Sequence, residues 1–382
     1  MHSILMNLSI GLQTAFTFTN ILWVFIGGTL GTIIGMLPGL GPATGVAILI
    51  PITFGMNPAT ALITMAAVYY GAMFGGSRAS IMLNIPGDAS AIVSCFDGYP
   101  MTKKGKAGTA LAISAIASFI GGMIGMIFMV FLSQPVASAA LRFGPAEMFS
   151  LMAFALVATI TLSEGNLLKG LFSIVVGLML STIGIDPLAG VVRFTYGISS
   201  LNEGIDFLVV IIGVYAVTEV YKNLKSIDTV YNFDSKSIGK VRVSKEEFKQ
   251  CLVPMLRSTP LGFVIGVLPG MGGTIATFMS YAMEKNLSKH PEEFGKGTIE
   301  GLAAPEAANN ACSCGAMVPL LTLGIPGSAT TAVMLGALML LGVRPGPTLF
   351  TDHPDIAWGV IASMLIGNII LLIINLPLAI PL

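Results

Sequence analysis

Residues 35–41 read G-M-L-P-G-L-G, and residues 266–272 read G-V-L-P-G-M-G. A second pair follows in the same order, M-L-N-I-P-G at 82–87 and T-L-G-I-P-G at 322–327. The offsets are 231 and 240 residues, and a longer polar loop at 284–297 accounts for the difference. One L-P-G in an apolar chain is a chance event. Two ordered Gly/Pro-rich pairs at similar spacing make an internal repeat. Each motif sits in apolar sequence, where Gly and Pro interrupt a helix. Interrupted backbone at membrane depth survives only where protein buries it or where it lines a wet cavity.

The rest of the chain fits that setting. Hydrophobic residues make up 54% of it, charged residues 10%, and the mean hydropathy is +0.86. A soluble domain carries roughly 25% charged residues, so lipid must cover much of this surface. The net charge is zero, which offers no basic face to nucleic acid. Apolar stretches long enough to span run at 21–37, 107–132, 144–162, 167–185, 252–268 and 356–377, with a shorter one at 207–221. More broken apolar sequence fills 43–98 and 270–343. Residues 1–20 hold no Lys or Arg, so the basic start of a signal peptide is missing. The expected fold is an all-α polytopic membrane protein with two inverted-topology repeats, whose broken or re-entrant helices meet at a central site. Its divisions are a first repeat core (1–106), additional transmembrane helices (107–221), a basic loop (222–250), a second repeat core (251–355) and a C-terminal helix (356–382).

Charge gives the inversion. The segment 222–250 holds seven of the nineteen basic residues and belongs in the cytoplasm by the positive-inside rule. Counting spans back from it puts the loop with Lys103, Lys104 and Lys106 on the same side. The second-repeat loop with Lys285, Lys289 and Lys296 belongs there too. Its first-repeat counterpart at 51–58 is uncharged and suits the outside, as does the loop at 344–355, where Arg344 faces Asp352 and Asp355. Equivalent loops on opposite sides mean inverted repeats.

Paired, Gly/Pro-interrupted segments in inverted halves point to the binding site of a secondary transporter. Half-helix N-termini attract anions, and freed carbonyls can hold a cation. One part of the expected site is Pro38, Gly39, Gly41, Pro42 and Thr44 with Pro269, Gly270, Gly272, Gly273 and Thr274. The other is Asn84, Pro86, Gly87 and Asp88 with Gly324, Pro326, Gly327, Ser328 and Thr330. Polar residues in apolar context add Ser77, Arg78, Glu306, Asn309, Asn310 and Ser313, since ionisable groups inside a membrane are costly and mark function. Arg78 is expected to grip a carboxylate through its planar fork. Asp88 is a candidate for the coupling ion, or else a helix N-cap after Pro-Gly.

No enzyme constellation emerges. His2, His290 and His353 lie in polar or terminal segments, and no Walker sequence is present. Cys312 and Cys314 form a C-x-C, too little for a zinc site. Cys95, Cys251, Cys312 and Cys314 are expected to be small buried residues.

G-M-L-P-G-L-G-P-A-T-G at 35–45, Y-Y-G-A-M-F-G-G-S-R-A-S-I-M-L-N-I-P-G at 69–87 and F-D-G-Y-P at 96–100 resemble the large membrane subunit of bacterial tripartite tricarboxylate transporters, the TctA family. So do G-V-L-P-G-M-G-G-T at 266–274, A-P-E-A-A-N-N-A at 304–311 and L-G-I-P-G-S-A-T-T-A at 323–332. The resemblance implies uptake of citrate or another carboxylate across the bacterial inner membrane, driven by a Na⁺ or H⁺ gradient and needing no other cofactor. It also implies two partners, a small membrane subunit and a periplasmic solute-binding protein. Members of the family usually continue past the segment N-L-P-L, found here at 375–378. The expectation is therefore of a shortened C-terminus. The alternatives are an inactive fragment of such a transporter and a channel for small anions.

Overall fold

The computed structural model describes residues 2–37, 40–158, 167–186, 191–202, 204–205, 210, 221 and 241–376. The first half contains α1 (His2–Ala15), α2 (Phe18–Met36), α3 (Pro42–Thr53), α4 (Pro58–Leu83), α5 (Ile92–Lys103) and α6 (Ala107–Ala140). Helices α7 (Pro145–Ala158) and α8 (Leu167–Ser181) follow, then a short antiparallel hairpin of β1 (Gly184–Ile185) and β2 (Val192–Arg193). The second half contains α9 (Lys245–Val267), α10 (Gly272–Leu287), α11 (Ile299–Leu323), α12 (Ala329–Leu340), α13 (Leu349–Asp352) and α14 (Pro354–Asn375). Among the described residues, α2, α4, α6, α9 and α14 are long and apolar enough to cross a membrane. The chain is a helical, multi-pass membrane protein.

Two helices escaped the reading of apolar stretches. Within 43–98 and 270–343 lie α4 and α11, unbroken helices of 26 and 25 residues. They carry Ser77, Arg78, Glu306, Asn309 and Asn310, which dilute their hydropathy. They tolerate these residues because protein surrounds them: every residue from 59 to 81 is buried, as is every one from 301 to 322. Helix α9 begins at Lys245, earlier than the expected 252. Ser244 accepts the Glu247 N–H and Glu247 accepts the Ser244 N–H, a capping box that starts the helix among charged residues. Most of the 207–221 stretch and residues 222–240 of the basic loop lie outside the described residues.

The repeat recurs at the level of contacts. Helix α2 packs on α4 through Gly31 over Val68 and Gly35 over Ala72. Helix α9 packs on α11 through Gly262 over Ala308 and Gly266 over Cys312. These pairs keep the 231 and 240 offsets. In each case a Cβ would strike backbone, so Gly sets the approach of the two helices. The helix ends match too. Asn84 closes α4 at φ 58°, and Gly324 closes α11 at φ 68°. Both adopt the left-handed cap that ends a helix. Beyond them, a Cβ on Gly87 would lie 2.8 Å from the Gly76 Cα, and one on Gly327 would lie 2.8 Å from the Ala316 Cα.

Packing also crosses between the halves. Helix α6 lies along α11, and α14 lies along α4 and is also packed by α1. One apolar core joins Leu62, Met65, Met129, Met317, Leu320, Trp358 and Ile361. A smaller cluster joins Ile81, Met101, Leu111, Met255 and Leu302, and Val241 and Val243 at the end of the basic segment pack on it.

Candidate functional site

Four helix interruptions build the candidate site. The chain leaves α2 at Leu37 and re-enters helix at Pro42, with Gly41 as N-cap. It leaves α9 at Leu268 and re-enters at Gly272. After α4, Asp88 restarts the helix: its Oδ1 accepts the Ala91 N–H at 3.0 Å, and the Ser90 hydroxyl donates to both carboxylate oxygens at 3.0 Å. After α11, Ser328 does the same. Its Oγ accepts the Thr331 N–H at 3.3 Å, and the Thr331 hydroxyl accepts the Ser328 N–H at 2.8 Å. Asp88 is thus an N-cap, each such cap stabilising a helix by about 1 kcal/mol.

The interruptions meet across the halves. Helix α3 packs on α12, so the start of one half's first motif lies beside the other half's second. Helix α10 packs in turn on the turn at Ala89–Ala91 and on α5. Tyr69 Oη lies 3.4 Å from Ser328 Oγ. A Cβ on Gly273 would lie 2.7 Å from Asn309 Oδ1 and 3.1 Å from Ser90 Cβ. Asp88 adjoins Gly41 and Gly76. Asn309 stands 240 residues after Tyr69, and Ser328 stands 240 after Asp88, so the members of each pair hold equivalent places in the two halves. Asn309 is 4% exposed, and among the described residues its Oδ1 has no hydrogen-bond partner. A buried acceptor left unmet costs about 1–3 kcal/mol, and this one lies where the breaks of the two halves meet.

Of the expected residues, the structure draws Gly41, Asp88, Gly273, Asn309 and Ser328 together. Thr44 and Thr330 are buried on the paired helices α3 and α12. Gly272 opens α10, after the turn of Pro269 and Gly270, and Thr274 lies in its first turn. Asn84, Gly87 and Gly327 shape the chain at the breaks. Three others point elsewhere. Asn310 donates to the Glu306 carbonyl of its own helix. Ser77 Oγ lies 2.9 Å from Ser114 Oγ. The Arg78 guanidinium donates to the Asn375 carbonyl at the end of α14. Pro38 and Gly39 lie outside the described residues. Tyr69 and Ser90 were missed; extending the 240-residue offset to Asn309 would have flagged Tyr69. Cys251, Cys312 and Cys314 are buried and free, and Cys95 is partly buried and free.

Away from the breaks, one face gathers the basic loops. Asp97 on α5 is fully buried and accepts the Tyr281 hydroxyl at 2.9 Å and the N–H groups of Gly295, Gly297 and Thr298 at 3.0, 2.7 and 2.8 Å. A cleft of about 440 Å³ opens beside it, lined by Lys104, Lys106, Glu247, Gln250, Lys296 and Glu300 among others.

Duplicated helix breaks thus meet inside a helical multi-pass membrane protein. The chain belongs to the tripartite tricarboxylate transporter TctA family, whose model matches residues 21–381. It is 47% identical over 378 residues to an uncharacterized 52.8 kDa protein in the TAR-I ttuC' 3'region of Agrobacterium vitis, covering 99% of this chain and 75% of that protein. It is 56% identical over 117 residues to an uncharacterized protein in the TAR-II ttuC' 3'region of the same organism, covering 31% of this chain and 48% of that protein. No solved structure matches the chain.

Proposed function

We propose that this chain is the translocating subunit of a carboxylate importer in the bacterial inner membrane. It would take a tricarboxylate or related substrate from a periplasmic solute-binding protein, work with a small membrane subunit, and draw on a Na⁺ or H⁺ gradient. The observation that carries the reading is the meeting of interrupted helices from both halves around the unpartnered Asn309 Oδ1. Half-helix N-termini there, at α3, α10 and α12, suit a carboxylate, because exposed N–H groups and the helix dipole favour anions. Asp88 belongs to the proposal as a coupling-ion ligand, and Arg78 as a substrate ligand through the donors left over from its bond to the Asn375 carbonyl.

Inverted repeats with re-entrant helices are part of the same proposal. Two contacts support it. Late in α4, Ser77 neighbours Glu306, early in α11. Midway along α4, Tyr69 reaches Ser328, just past the end of α11. Helices related by the repeat therefore run past each other in opposite senses. Alternating access then amounts to the two halves rocking about the shared site.

The test is uptake of labelled citrate by vesicles holding this chain and the small subunit, with the binding protein supplied outside. Accumulation against the substrate gradient is expected, and only when all three parts are present. Passive equilibration would indicate a channel for small anions, and no movement of citrate or other di- and tricarboxylates would overturn the reading.

A further inference from the structure

Glu306 is 2% exposed and lies early in α11, whose residues 301–322 are all buried. Three neighbouring helices surround its carboxylate with serine hydroxyl groups. Ser94 on α5 donates to Oε1 at 2.5 Å, and Ser118 on α6 donates to Oε2 at 3.1 Å. Ser77 on α4 and Ser114 on α6, their Oγ atoms 2.9 Å apart, lie beside this side chain. Among the described residues, no Lys, Arg or His pairs with it.

The charged groups on the surrounding helices have other partners: Lys103 on α5 lies 4.7 Å from the Tyr99 ring centroid, and Glu300 on α11 accepts from Gln250. Arg78 on α4 donates to Asn375. Asp97 on α5 is satisfied by Tyr281 and three backbone N–H groups, and Cys95 follows Ser94 on that helix. Arg257 on α9 pairs with Glu284 on α10 at 3.0 Å. Helix α6 has no charged residue.

A carboxylate buried in a membrane protein without a cation must be neutralised by a proton or a bound ion. Ser94 and Ser118 already direct a hydroxyl hydrogen at each carboxylate oxygen, at 2.5 and 3.1 Å. A hard cation instead gathers the lone pairs of several oxygens at about 2.3–2.6 Å, so this arrangement suits a proton on the carboxyl better than a metal ion.

The position matters as much as the chemistry. Ser90 and Ser94 are one turn apart, as are Asn309 and Glu306. Ser90 and Asn309 both abut Gly273 in the candidate site, and Ser94 bonds Glu306. The carboxylate therefore sits one helical turn from the proposed substrate position, at a contact made by one half with the other.

We propose that Glu306 is the proton-carrying group of the transport cycle. A proton from water on one side binds a Glu306 oxygen, neutralising the charge, and leaves to water on the other side; no other bond forms or breaks. The proposal rests on the carboxylate-importer reading for its role in transport, but proton binding itself can be tested without that reading.

The experiment is an infrared pH titration of the purified full-length chain in lipid, following the protonated-carboxyl band. The expected result is a titrating band that is lost in Glu306→Gln and unmoved by added sodium chloride. Replacing Ser94 and Ser118 together by Ala removes donors that favour the ionised form, so the midpoint should move to higher pH. This second variant keeps the test decisive if Glu306→Gln folds poorly. A band that survives Glu306→Gln, a midpoint unmoved by the serine changes, or displacement of the proton by Na⁺ would each overturn the proposal. In vesicles with both partners, an imposed proton gradient should raise citrate accumulation several-fold, and Glu306→Gln should abolish that rise. Accumulation that follows only a Na⁺ gradient would likewise exclude Glu306 as the coupling group. If citrate uptake fails in the unaltered protein while the band titrates as stated, the importer reading falls and the proton site stands.

Discussion

The Lys104 ammonium donates to the carbonyl of Lys296 at 2.6 Å, across 192 residues of sequence. This contact puts the loop after α5 and the loop before α11 on one side of the molecule. Both are lysine-rich, and the positive-inside rule places that side in the cytoplasm. Single cysteines at Lys103 and Lys289, in a background without the native cysteines, should therefore escape an impermeant thiol reagent applied to intact cells. They should react after the cells are opened. Labelling of either from outside would refute the orientation.

Glycine substitutions should behave as matched pairs. Gly31→Val and Gly262→Val each drive a side chain into backbone on the neighbouring helix. Overpacking of this kind costs about 1–3 kcal/mol, so both variants should show similarly reduced yield and thermal stability in detergent. Gly177→Ala on α8 meets nothing within 4 Å and should be tolerated. Unequal effects of the two valine variants would argue against equivalent packing in the halves.

Asp97 is ringed by donors from the 295–298 loop and Tyr281. Asp97→Asn substitutes a donor for one acceptor oxygen and removes the charge. Hydrogen bonds to charged groups contribute about 1.5–3 kcal/mol each, so this variant should melt earlier and be cleaved faster by protease in the 288–298 loop. Tyr281→Phe removes one bond and should have the smaller effect. Unchanged proteolysis in Asp97→Asn would show that the loop is held by other contacts.

Arg78 separates two roles. At least one of its five donors is committed to the end of α14. Arg78→Ala should cost about 2 kcal/mol of stability, the scale of a lost charge-assisted bond. Arg78→Lys can still reach a carbonyl but lacks the planar fork, so it should fold and yet take up citrate poorly. Normal uptake by a well-expressed Arg78→Lys would confine the guanidinium to its bond with Asn375.

Much of this fold was legible because membrane burial leaves strong traces. Long apolar runs gave α2, α6, α9 and α14, and the paired L-P-G and I-P-G motifs gave the positions of the helix breaks. What failed was the assumption that a span must itself be apolar. Helices α4 and α11 are shielded by other helices, so they need not satisfy lipid and can carry Arg78, Glu306 and Asn309. Their signature is small residues at close spacing, such as Gly71, Gly75 and Gly315, which meet neighbouring backbone, whereas in the sequence these stretches read only as more broken apolar runs. The site was half legible. Gly41, Asp88 and Ser328 announced themselves as break residues. The serines around Glu306 did not, because each looks ordinary until four helices bring them to one carboxylate.

The exchange of covering helices between the halves has a consequence for how such a chain could be divided. Helix α11 depends on α6 from the first half, and α4 depends on α14 from the second. A polypeptide ending after α6 would present α4 without its cover, with Arg78 facing hydrocarbon. A polypeptide beginning at α9 would do the same to Glu306. Produced as two separate fragments, the halves should therefore find each other in the bilayer rather than persist singly, each supplying the cover that the other lacks.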